Sequence, residues 1–81
     1  MDESELYVML GSEEPCDLHY DQAAVESLMT KYFKPNDTSV INMMSTMVSG
    51  NKIQVEQMSA NTRAAHCFQV RRAAKHYGLI Q

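Results

Sequence analysis

Hydrophobic and polar positions along this chain fall mainly into a helical rhythm. Val25, Leu28, Met29, Tyr32 and Phe33 recur at i, i+3, i+4, i+7 and i+8, with Glu26, Thr30 and Lys31 on the opposite side. That spacing predicts an amphipathic helix over about residues 18–33. It starts near Asp17 or Asp21, carries Lys31 and Lys34 late, and stops at Pro35. Asn36, Asp37, Thr38 and Ser39 supply a turn and several N-cap candidates. Next, Val40, Ile41, Met43, Met44, Met47 and Val48 cover one side of a second helix, with Gly50 as its natural C′ residue. No charge occurs from Thr38 to Gly50. Its apolar arc is wide enough for a central core helix or a subunit contact.

The flanking segments are less decided. Residues 5–10 end in an apolar run, Leu6 to Leu10, stopped by Gly11. Its length fits a short buried strand or one or two helical turns. Gly11 to Pro15 reads as a loop. At residues 53–58, Ile53 and Val55 alternate as in a strand, while Val55 and Met58 also fit one helical turn. A longer helix is expected over about residues 62–77, with Gly78 near its end. On it Cys67, Val70, Ala74 and Tyr77 form one stripe, and Phe68, Arg71, Arg72 and Lys75 project from the neighbouring face. Together these elements predict a single all-α domain over residues 1–81, a small bundle of three to four helices. A short N-terminal strand is the open alternative. Residues 1–16 are expected to be an acidic segment and loop, and residues 17–81 the helical core.

Composition narrows the class. At 81 residues there is room for one domain only, and its stability margin is thin. Apolar residues make up 44%, which is too much for a disordered acidic tail, and no apolar run is long enough to span a membrane. The acidic start, Met1-Asp2-Glu3-Ser4-Glu5, does not read as a secretory signal, so an intracellular location, cytoplasmic or nuclear, is expected. The net charge of −3 hides a strong asymmetry. Residues 1–30 carry Asp2, Glu3, Glu5, Glu13, Glu14, Asp17, Asp21 and Glu26 and no Lys or Arg; residues 59–81 carry Arg63, Arg71, Arg72 and Lys75 and no acid. This division fits a nucleic-acid face, an acidic partner, or attraction between the two halves. It also fits acids at helix starts and bases at helix ends.

Candidate chemistry is sparse. Cys16 and His19 have ligand-like spacing, but His66 and Cys67 are helical neighbours whose side chains diverge, so no metal site is expected. The same divergence removes His66 as a base for Cys67, and no catalytic motif occurs, so no catalytic residue and no cofactor are expected and the chain reads as a non-enzyme without a small-molecule substrate. A Cys16–Cys67 disulfide is allowed by count, though an intracellular chain does not call for one. Asn36-Asp37-Thr38 has the form of a glycosylation sequon but reads as a turn. Met43, Met44 and Met47 could form an adaptable partner or oligomer contact, against the plainer reading of a hydrophobic core.

The run from Ile53 to Met58, then Ser59 to Ala65, then Val70 to Ile80 resembles helix-turn-helix and winged-helix DNA-binding domains. In that resemblance residues 40–49 are the supporting helix, residues 55–60 the short first helix and residues 62–77 the recognition helix, with no wing expected. It implies that Arg71, Arg72 and Lys75 meet phosphates or base edges, that Thr62, Arg63, His66 and Gln69 turn toward the groove, and that Val70, Ala74 and Tyr77 pack inward. The leading expectation is therefore a small nucleic-acid-binding regulatory or accessory protein, its candidate contacts being Arg63, Arg71, Arg72 and Lys75. The alternative is a protein–protein interaction module, an adaptor or inhibitor, using the acidic segment and the Met-rich helix; homo-oligomerisation would double the number of basic groups.

Overall fold

The computed structural model describes residues 1–33 and 38–81. Among the described residues there are four helices: α1 (Glu3–Ser12), α2 (Gln22–Thr30), α3 (Thr38–Glu56) and α4 (Ala60–His76). The fold is all-α, with no strand among the described residues. Lys34, Pro35, Asn36 and Asp37, expected to end one helix and begin the next, lie outside the described residues.

The segment that left a strand open is helical. Asp2 caps it, its side chain accepting from the Glu5 N–H at 2.8 Å, and Glu3 and Glu5 sit where the helix dipole favours negative charge. This acidic start therefore begins a core helix, which corrects its assignment to a segment outside the core. Leu6, Tyr7 and Met9 are among the most buried side chains. Helix α1 lies against α3 and, to a lesser extent, α4.

Gly11 sets how closely α1 and α3 approach. A Cβ there would lie 2.6 Å from the Val48 carbonyl oxygen and 2.8 Å from Cβ of Asn51. Beyond α1 the chain makes a tight turn, with Asp17 at φ 54° and Cys16, Leu18 and Tyr20 folded inward. The Tyr20 hydroxyl donates to the Met9 carbonyl at 2.8 Å, satisfying one of the carbonyls left over at the end of α1.

Asp21 caps α2 by accepting from the Ala23 N–H at 3.0 Å, so this helix begins later than residue 18. It also ends at Thr30, short of the expected residue 33, yet the inward stripe is the expected one: Leu28 and Phe33 are buried, and Val25, Met29 and Tyr32 are half-buried. Phe33 stacks on Tyr7, with ring centroids 6.4 Å apart, and the Tyr32 hydroxyl donates to the Met1 carbonyl.

Helix α3 runs straight through Gly50 to Glu56, which corrects the expected stop at residue 50. A helical Gly costs about 1 kcal/mol relative to Ala. Here the next turns repay continuation, because Val55 is 2% exposed and Lys52 pairs with Glu14 at 2.7 Å. Ile53 to Glu56 thus form the last turn of α3 rather than a strand or a separate short helix. Ser59 caps α4, accepting from the Thr62 N–H at 3.3 Å. At the other end, Leu79 N–H bonds to Ala74 C=O at 2.8 Å and Gly78 N–H to Lys75 C=O at 3.2 Å, with Gly78 at φ 77°. This is a Schellman cap, and it buries Leu79 completely. The Leu79 carbonyl then accepts from the Asp21 N–H at 2.8 Å, tying the chain's end to the start of α2.

Candidate nucleic-acid interface

Helix α4 has two sharply different sides. At about 100° per residue, Val70, Ala74, Cys67 and Tyr77 share one arc, and Phe68, Arg71, Arg72 and Lys75 share the neighbouring arc. The first set meets the core: Val70 and Ala74 are buried, Cys67 and Tyr77 half-buried. Arg71, Arg72 and Lys75 are all exposed, and among the described residues none of the three makes an ion pair.

The other residues implied as groove-facing divide. Thr62 and Gln69 are exposed. Arg63 is half-buried near the inner edge at the start of α4, away from the three clustered cations. His66 points inward instead, its Nε2 2.9 Å from the Ser12 hydroxyl oxygen, and so joins α4 to α1. This corrects its expected place toward the groove; the sequence carried no signal of the partner, because 54 residues separate the two. A serine beside an imidazole is the start of a nucleophile–base pair. Ser12 is 0% exposed, and the contact satisfies its buried hydroxyl.

Phe68 is the residue that sequence reasoning placed on this face without giving it a role. It is 56% exposed, the most exposed large apolar side chain described, and the Arg72 guanidinium carbon lies 6.0 Å from its ring centre. The acidic groups are elsewhere. Lys52, by hydrogen bond and charge, holds the Glu14 carboxyl below its usual 4.5. Partial burial, then the Glu5 carboxylate, pushes the Tyr77 phenol up.

The three methionines do not act together. Met44 faces the core, which corrects its assignment as a partner contact: it sits one turn from Val48 on the side that meets α1. Met43 and Met47 are exposed, at 50% and 45%. Met47 lines a shallow groove of about 400 Å³ with Thr46, Gly50, Asn51 and Gln54. The cysteines join Cys16 to Cys67, with Cα atoms 5.3 Å apart.

The helix-turn-helix resemblance implied two separate elements where one is found, and its closing residues have a local explanation. The expected supporting and short first helices are one continuous helix as far as Glu56, and the closing Gly78-Leu79-Ile80 belongs to the cap of α4. Among the described residues no helix is long and apolar enough to cross a membrane. Comparison of the chain with family models, curated proteins and solved structures finds no match.

Proposed function

We propose that this is a small, non-enzymatic nucleic-acid-binding protein of regulatory or accessory type that engages phosphates through the outer face of α4. The observation that carries this reading is the grouping of Arg71, Arg72 and Lys75 on one exposed face with no ion pair among the described residues. Three unpaired cations beside one another cost stability through mutual repulsion, which a polyanion relieves. Three phosphate contacts per chain give a salt dependence of log K against log salt of about −2 to −3. Titration of labelled nucleic acid at several salt concentrations tests this. Salt-sensitive binding that is lost in the Arg71→Ala/Arg72→Ala double variant supports it; absence of binding at low salt by folded protein overturns it.

The exposure of Met43 and Met47 on the uncharged stretch of α3 from Thr38 to Gly50 supports a second reading, in which this side of α3 contacts a protein partner or another copy of the chain. Sedimentation across a concentration range, with Met43→Glu/Met47→Glu as the control, tests the self-association arm. The disulfide supports oxidising surroundings rather than the reducing interior expected from the sequence. Counting free thiols in protein taken directly from its source decides between them.

A further inference from the structure

Resting on the reading of α4 as a nucleic-acid face, we propose that its ligand is single-stranded, with an unpaired base stacked on Phe68 and the adjoining phosphates held by Arg71, Arg72 and Lys75.

The argument starts from Phe68. Its ring lies outside the core cluster and is more than half exposed, so folding does not explain it. It sits amid the three cations and in a stretch of chain without acids from Gln57 to Gln81. A guanidinium already lies near the ring, as it does where a delocalised cation and an aromatic face share a ligand. Helical side chains lean toward the N-terminus, so Phe68 covers the turn that contains Ala64, which is small and exposed. A flat base therefore has room over that turn, while the cations at 71, 72 and 75 lie on its C-terminal side.

A duplex does not use this arrangement. Its bases stack on one another and offer only their edges in the grooves, so an aromatic ring on a helix finds no open π-face. An unpaired strand offers one at every base, and its backbone can bend to bring phosphates to nearby cations. Charge complementarity alone suits either form; the aromatic ring among the cations selects the single strand.

The test uses the full-length oxidised chain, a labelled thymidine homo-oligonucleotide, and a labelled duplex of the same length. Phe68→Leu keeps an apolar side chain but removes the π-face, and at this exposed site it leaves the fold intact. The expected result is tighter binding of the oligonucleotide than of the duplex, with Phe68→Leu weakening the oligonucleotide about tenfold and leaving the duplex unchanged. Equal or tighter duplex binding, or an oligonucleotide affinity indifferent to Phe68→Leu, overturns the single-strand proposal. If duplex binding is still lost in Arg71→Ala/Arg72→Ala, the broader nucleic-acid reading survives that result. Failure of folded protein to bind either probe at low salt overturns both, and leaves an acidic protein as the partner of this face.

Discussion

Cys16 and Cys67, 51 residues apart in the chain, are joined by a disulfide that fastens the turn after α1 to the middle of α4. It closes most of the chain into a loop, which restricts the unfolded state far more than the folded one. Loop-closure arithmetic for such a separation gives about 4 kcal/mol of stabilisation, a large share of what so small a domain possesses. Reduction, or the Cys16→Ser/Cys67→Ser variant, is expected to lower the melting temperature by about 15 °C or more. Circular dichroism melts with and without dithiothreitol measure this. A melting point indifferent to reductant would show that other contacts of α4 suffice.

The two helical glycines are expected to respond oppositely to alanine. At Gly11 the new methyl meets the backbone of Val48 and the Asn51 side chain below 3 Å, so α1 and α3 must separate. Gly11→Ala should cost about 1–3 kcal/mol. At Gly50 nothing lies within 4 Å of the new methyl, and Gly50→Ala should stabilise by about 0.5–1 kcal/mol. Urea denaturation of both variants checks the pair; a gain at position 11 contradicts the close approach.

Two buried tyrosines separate a satisfied hydroxyl from an orphan. Tyr20 donates to the Met9 carbonyl, and Tyr20→Phe should cost about 1 kcal/mol. The Tyr7 hydroxyl is buried with no hydrogen-bond partner among the described residues, so Tyr7→Phe should be close to neutral or stabilising. Burial, and secondarily the nearby Glu13 carboxylate, also pushes the Tyr20 phenol well above its usual 10.0. The folded state thus favours the neutral phenol. Its contribution is complete below pH 10 and is lost as pH rises from there toward the folded value. Stability measured from neutral to strongly alkaline pH should fall less steeply in Tyr20→Phe than in the parent; parallel curves would rule out this linkage.

Adjacent methionines should differ in the same way. Met44→Ala removes core volume and is expected to cost about 2–4 kcal/mol, whereas Met43→Ala on the exposed side should stay within about 0.5 kcal/mol. Equal effects in denaturant titrations would contradict the orientation of α3.

Much of α2 and α4 was legible because a periodic apolar stripe states which side is buried before any partner is known. Leu28 on α2 with Phe33 just beyond its end, and Val70 and Ala74 on α4, face inward as their spacing predicts. Arg71, Arg72 and Lys75 share an exposed face for the same reason. Gly78 also carried its own signal, since an αL cap is a local preference of the backbone.

Non-local choices lay beyond that reach. Gly50 looks like a helix stop, and it became interior only because Val55 and Lys52 find partners on the far side of it. Which of Met43, Met44 and Met47 turned inward depended on where α1 crossed α3, and that crossing is set by Gly11 against Val48. The links from Ser12 to His66 and from Cys16 to Cys67 span most of the chain. By itself the sequence determined helical content, the inward stripes and the basic face of α4, because these follow from neighbours within a turn or two. Tertiary structure alone decided helix continuity, the fate of each methionine and the cysteine pairing, because those free energies belong to contacts between residues that the chain order keeps far apart.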